Sequence, residues 1–226
     1  VTVISANKRK TLGVFGGTFD PIHRAHLQMA RELQQRLQLD EMRLMPCHIP
    51  PHRQAPGVSS ERRAQMVALA IEEDNSKSRD VKALQVDTRE LNRDRLSFTI
   101  DTLKGLRDEL GQSQSICLCM GMDSLASLDK WHCWQELLEY SHIGVAARPG
   151  YEIPEVGGLA NWIKENRASP EQVHRSSRGA LVIEQCSLLA ISATEIRIRI
   201  QEGKDLSHLL PESVERFIKL EGLYKE

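Results

Sequence analysis

Aromatic residues are scarce: four Phe, three Trp and three Tyr amount to 4% of 226 residues. There is no excess of one charge either, with 30 Lys and Arg against 31 Asp and Glu, a net charge of −1. Binding single-stranded nucleic acid takes stacking aromatics and a basic stripe, so no nucleic-acid partner is expected. No apolar run approaches the length of a membrane span, and no signal-peptide core opens the chain. Both absences predict a cytoplasmic protein with no membrane partner. The Gly-x-Gly-x-x-Gly dinucleotide fingerprint is missing, and no glycine-rich run ends in Gly-Lys-Ser/Thr, which excludes a P-loop. No Cys pair has the spacing of a closed zinc site. The five cysteines are an odd number and read as buried, reduced thiols; Cys117 and Cys119 alternate within one strand-like run. Internal repeats and low-complexity linkers are also lacking. The length suits a single domain over residues 1–226, with 1–10 as a lead-in and about 151–178 as a surface insertion.

Against this background stands one stretch, Gly13-Val14-Phe15-Gly16-Gly17-Thr18-Phe19-Asp20-Pro21-Ile22-His23-Arg24-Ala25-His26. Leu12 to Phe15 has the length of a buried strand. Two glycines and an Asp-Pro turn signal follow, and then a helical period with Leu27, Ala30, Leu33 and Leu37 on one face. Strand, tight loop and helix in this order present unpaired backbone N–H groups and the positive end of a helix dipole, a site for phosphate. His23 and His26 share a face of the first turn. They either point at a ligand on the helix N-terminus or form a surface pair.

Further along, residues 41–46 read as a second strand, giving strand–helix–strand at the spacing of parallel pairing. The loop 47–57 carries His48, His52 and Arg53 among three prolines, just past a strand's C-terminal end; it is either a ligand loop or a solvated one. Residues 59–72 read as a helix, 73–80 as a polar turn, 81–86 as a strand and the charged run 87–95 as a solvated connection. Ser97 is the expected N-cap of a helix ending at Gly111. Residues 115–120 form a strand-like run that hands over through Gly121 to Asp123. Trp131 and Trp134 follow, either as core or as a stacking face. Strands are expected at 143–147 and 180–185. Ser192 and Glu195 have capping-box spacing at a helix whose first turn also offers Thr194 and Arg197, suiting phosphate or a simple cap. Residues 211–220 close the chain as an amphipathic helix. The sum is an α/β fold, doubly wound, with five or six mostly parallel strands.

Gly-Gly-Thr-Phe-Asp-Pro-Ile-His-x-x-His and Ile-Ser-Ala-Thr-Glu-Ile-Arg resemble the two signatures of the nucleotidylyltransferase superfamily. Its fold is Rossmann-like, and its members transfer a nucleotidyl group from a nucleoside triphosphate. Pro50-Pro51-His52-Arg53, Ser97 to Thr102, Gly121 to Leu125, Trp131 and Arg148-Pro149-Gly150 narrow the resemblance to the bacterial nicotinate-nucleotide adenylyltransferase family. The likeness spans about residues 11 to 224. Pantetheine-phosphate adenylyltransferases share the chemistry but lack this Pro-Pro-His-Arg with a later Trp, and a non-catalytic binder could spare His26. The resemblance implies transfer of AMP from ATP to nicotinate mononucleotide, giving deamido-NAD and pyrophosphate in NAD biosynthesis, with Mg²⁺ carried on ATP and no metal ligated directly by the protein. It also implies roles. His23, His26 and Arg197 act on the phosphates. Gly16, Gly17, Thr18, Phe19, Gly121, Asp123, Ile143, Arg148, Ser192 and Thr194 bind ATP, with Ile143 and Arg148 flanking the adenine. His52, Arg53, Phe98, Thr99 and Trp131 bind the mononucleotide. A homodimer is left open. The chain departs from the family pattern at Ala25 (usually Gly), Phe98 (often Tyr) and Cys47 (often Asn).

Overall fold

The computed structural model describes residues 10–49, 57–78, 81–93, 96–147, 156–187 and 189–225. Among these, six strands form one all-parallel sheet in the order β3-β2-β1-β4-β5-β6. They are β1 (Thr11–Gly17), β2 (Glu41–Pro46), β3 (Leu84–Val86), β4 (Ser115–Gly121), β5 (His142–Ala147) and β6 (Leu181–Gln185). The helices are α1 (Arg24–Arg36), α2 (Ser60–Lys77), α3 (Thr99–Leu110), α4 (Met122–Leu125), α5 (Leu137–Tyr140), α6 (Gly158–Asn166), α7 (Gln172–Arg175), α8 (Ala193–Gln201) and α9 (Glu212–Glu221). Strand order reverses between β1 and β4, so the crevice outside their C-terminal ends is the switch point where ligands bind in open α/β sheets.

Side chains alternate across the sheet with period two. Cys117 and Cys119 of β4 face the core shared with α1, α2, α8 and α9. Ile116, Leu118 and Met120 face the core shared with α3, α5 and α6. The expected α1 stripe is buried in full: Leu27, Ala30, Leu33 and Leu37. A Cβ on Gly144 of β5 would stand 2.6 Å from Leu37 Cδ1 and 3.0 Å from Cys117 Sγ, so a glycine lets the end of α1 approach the sheet.

Four expectations need correction. The polar run after residue 72 continues α2 to Lys77. Glu73 pairs with Lys77 at 2.6 Å, and the Asn75 side chain exchanges two 2.9 Å hydrogen bonds with the Leu84 backbone. The charged run after Asp87 includes a 3₁₀ turn, Arg89–Asn92, whose Glu90 is buried and accepts a hydrogen bond from Thr102 Oγ1. The segment read as a surface insertion builds the β5-to-β6 connection instead: Leu159, Ala160, Ile163 and Val173 are all buried. Four cysteines are buried and unpaired, but Cys133 is half-exposed.

His142, at the start of β5, is fully buried; Nδ1 accepts from Ala180 N at 3.0 Å and Nε2 lies 3.1 Å from Ser176 O. Burial pulls its pKa down to about 4, from 6.5. The unfolded chain therefore takes a proton before the folded one does. The stabilisation is whole above pH 6.5 and is lost as pH falls toward 4, by up to about 3 kcal/mol. A His142→Gln variant is expected to show a shallower loss of unfolding free energy between pH 7 and pH 4.5 in urea titrations. Parallel profiles for the two proteins would contradict this.

Candidate active site

β1 ends in Gly16 and Gly17, and each does something a larger residue could not. A Cβ on Gly16 would meet nothing within 4 Å, so this backbone borders open space. A Cβ on Gly17 would lie 2.9 Å from the Phe19 ring, which folds back beneath it from a left-handed backbone, φ 50°. Gly121 ends β4 at the same level, two residues beyond the Phe15–Cys119 pair. A Cβ there would meet Asp123 Oδ1 at 2.7 Å, so the exposed Asp123 carboxylate lies over Gly121 at the crevice.

The loop delivers the chain into α1 with His23 as N-cap. The His23 and His26 rings stack with centroids 3.6 Å apart, and His26 Nδ1 accepts the His23 backbone N–H at 3.3 Å. The Phe19 ring meets His26 edge-on at 5.1 Å. His23 is 5% exposed, its Nδ1 has no hydrogen-bond partner, and burial lowers its pKa to about 4. It is therefore neutral near pH 7. The two histidines are a fixed pair and not a loose surface pair.

The N-terminus of α8 comes to the same loop. Ser192 caps it, accepting Glu195 N at 3.2 Å, and Ser192 and Thr194 are exposed. Arg197 Nη1 donates to Asp20 O at 2.7 Å, and Nη2 donates to Thr194 Oγ1 at 3.3 Å. Thr18 is half-buried and its carbonyl accepts Arg63 Nη1 at 2.5 Å. Thus Gly16, Gly17, Thr18, His23, His26, Ser192, Thr194 and Arg197 converge around one loop, with Gly121 and Asp123 beside it.

On the other side, the segment after β2 is tied to the entry of α3. His48 N donates to Ser97 Oγ at 3.1 Å, and Ser97 N donates to Ile49 O at 3.0 Å. Ser97 is therefore a brace, and Phe98 takes the N-cap position of α3, whose first turn has no side-chain cap. Phe98, Thr99 and Trp131 are all half-buried. The Phe98 ring sits 4.6 Å from His132, next to Trp131. The Trp131 backbone N–H is already donated to Leu128 O at 2.9 Å, leaving the α3 N-terminus as the donor for an acceptor held there.

Two site expectations change. Ile143 is fully buried and second in β5, at the N-terminal end of the strand, so it cannot flank a ligand at the opposite edge. Phe19 is a core ring, 2% exposed, and can offer a ligand only its backbone. His52, Arg53 and Arg148 lie outside the described residues.

The structure also ties in residues to which the sequence assigned no role. Arg63, 1% exposed, is tied to the Thr18 carbonyl of the β1–α1 loop and to the Cys47, His48 and Val58 carbonyls of the β2–α2 connection, and so joins two loops. Its signal was its phase, since 63, 66, 67 and 70 form one buried stripe of α2. Cys47 turns its Sγ inward, 3.8 Å from Thr18 Oγ1 and 3.9 Å from Arg63 Nη1. Tyr224 OH donates to Asp20 Oδ1 at 2.7 Å across 204 residues, a contact no local pattern announces.

The chain is similar to known proteins in sequence and in fold. The sequence model of the cytidylyltransferase-like family matches residues 14–199. A protein of Cellvibrio japonicus named "probable nicotinate-nucleotide adenylyltransferase" is 48% identical over 96% of this chain and 100% of its own. One of Aeromonas hydrophila with the same name is 43% identical over 95% of this chain and 97% of its own. Among solved structures, Plasmodium falciparum nicotinic acid mononucleotide adenylyltransferase complexed with NaAD superposes with a TM-score of 0.72. The two share 18% identity over 95% of this chain and 97% of that one, a likeness of fold. With relatives matched over nearly their full length, and with the glycine loop, paired histidines and capped arginine helix in one crevice, the chain belongs to the nicotinate-nucleotide adenylyltransferase family.

Proposed function

We propose that the chain transfers the adenylyl group of ATP to the 5′-phosphate of nicotinate mononucleotide, releasing pyrophosphate and forming deamido-NAD. The observation that carries this reading is the convergence of two helix N-termini, α1 and α8, with the stacked His23–His26 pair and Arg197 on one glycine loop. The acceptor is itself a nucleophilic anion, so the task is to align two anions that repel and to stabilise charge on the phosphorus between them. Gly16, Gly17 and Thr18 line the phosphates with backbone, and Phe19 contributes backbone alone. His26 Nδ1 accepts a hydrogen bond, so Nε2 carries the proton and donates to an oxygen of the α-phosphate. His23 fixes the plane of His26 and adds its own edge. Ser192, Thr194 and Arg197 hold the β- and γ-phosphates. Asp123 takes the ribose hydroxyls beside Gly121, and Arg148 closes on the adenine.

For the mononucleotide we assign Trp131 and Phe98 to the pyridine ring and His52 and Arg53 to the phosphate. Thr99 and the uncapped first turn of α3 offer N–H donors to the pyridine carboxylate; a carboxamide would set its own N–H against them. Mg²⁺ would enter with ATP and would offset charge on the phosphates, with no protein side chain assigned as its ligand. The carboxylate nearest the loop, Asp20, is engaged by Tyr224 and faces Arg197. Residues 1–226 act as one catalytic domain in the cytoplasm, as a monomer or as a homodimer.

Direct attack needs no covalent enzyme intermediate. With ATP labelled at the α-phosphorus, the label is expected in the dinucleotide and absent from denatured protein at every time point. Label retained on the protein would overturn direct transfer.

A further inference from the structure

We propose that Tyr224 is a positioning residue for adenylyl transfer, holding Asp20 so that Arg197 keeps its orientation toward the ATP phosphates. The inference rests on the reading of Arg197 given above. α9 ends at Gly222, φ 62°, whose N–H bonds to Ile218 O, and Leu223 N bonds to the same carbonyl at 3.0 Å. Tyr224 then also adopts a left-handed backbone, φ 63°. A residue with a Cβ takes that conformation at a cost, and surrounding contacts must hold it there. The contacts are visible. The ring packs against the core shared by α1 and α2, and the hydroxyl reaches Asp20 Oδ1 at 2.7 Å. Burial first, and then the Asp20 carboxylate, push the phenol pKa up, so the hydroxyl remains a donor throughout the neutral range.

At Asp20 the loop after β1 meets α8 and the segment after α9. Its side chain is 12% exposed; Oδ1 is held by Tyr224, and Oδ2 stands 3.8 Å from Arg197 Nη1. Its carbonyl accepts Arg197 Nη1 at 2.7 Å. The carboxylate is thereby split. One oxygen is committed to a neutral donor, so it cannot close a bidentate pair on the guanidinium. Arg197 is aimed by the Asp20 carbonyl and by Thr194, and its charge is left for an incoming phosphate. Remove the hydroxyl, and Asp20 is free to turn both oxygens on Arg197, drawing it from that orientation and neutralising it. The connection from α8 to α9 also steadies the start of α1, where Arg24 N donates to Leu209 O at 3.0 Å.

The test compares Tyr224→Phe, Arg197→Lys and the double variant in the full chain, reading kcat and KM for each substrate. Tyr224→Phe is expected to raise KM for ATP about fivefold, with KM for the mononucleotide and the melting temperature little changed. In the double variant the second change is expected to add nothing, because Tyr224 acts only through Arg197. Independent, multiplying effects would overturn the inference, as would equal rises in both KM values with a falling melting temperature. If Arg197→Lys weakens ATP binding while Tyr224→Phe does not, only the inference falls. If Arg197→Lys leaves KM for ATP unchanged, the assignment of Arg197 falls and the inference with it. Should Tyr224→Phe fail to fold, Asp20→Asn reads the same coupling to Arg197.

Discussion

Replacing His26 with alanine is expected to lower kcat by about a thousandfold while the protein stays folded. The size follows from how firmly the ring is set. His23 stacks on one face at 3.6 Å, Phe19 meets it edge-on at 5.1 Å, and the His23 backbone N–H fixes the tautomer through Nδ1. A donor held in this way pays no reorganisation when charge grows on the α-phosphate oxygens, which is where preorganised donors act most strongly. The fold loses little, because His26 is only half-buried and sits in the first turn of a helix whose buried face starts elsewhere. Single-turnover rates at saturating ATP, with a melting curve as the folding control, provide the check. A rate within about tenfold of wild type would remove His26 from the transition state.

The second large effect is expected for Arg197→Ala, a fall of about a hundredfold in kcat/KM for ATP with KM for the mononucleotide nearly unchanged. Arg197 brings a formal positive charge from α8 to the loop, and its guanidinium is already pointed by Asp20 O and Thr194 Oγ1. Losing it removes the link between the two signature helices and, on the proposed function, a phosphate clamp. Arg197→Lys keeps the charge and loses the fork, so it should fall between the two. Initial rates over a range of ATP concentrations separate the outcomes. An unchanged KM for ATP in Arg197→Ala would show that this arginine braces the loop and does not bind phosphate.

What could be read beforehand was local. The Gly16-Gly17 turn, the α1 stripe and the Ser192 cap each rest on residues within one or two turns of each other, where period and cap chemistry decide the backbone. The alternation of Cys117 and Cys119 likewise gave their shared face. The errors came where distant packing decides. Residues after Glu72 look polar, yet Asn75 bonds to Leu84 and extends the helix. The family resemblance implies Ile143 beside the adenine, but Ile143 is second in β5, at the end of the strand away from the crevice. Arg63 drew no reading from the sequence, yet four carbonyls in two loops satisfy it in the interior. Tyr224 and Asp20 are 204 residues apart, beyond the reach of any periodicity.

The measurement that bears most directly on the central claim is pyrophosphate release from ATP and Mg²⁺ by the full chain, with nicotinate and nicotinamide mononucleotides side by side. Rapid release with the nicotinate form and slow release with the nicotinamide form is the predicted result, and it would uphold both the transfer and the donor-lined end of α3. Equal release would contradict the account of specificity. No release with either acceptor, from folded protein that binds ATP, would contradict the claim that this crevice carries out adenylyl transfer to a pyridine mononucleotide.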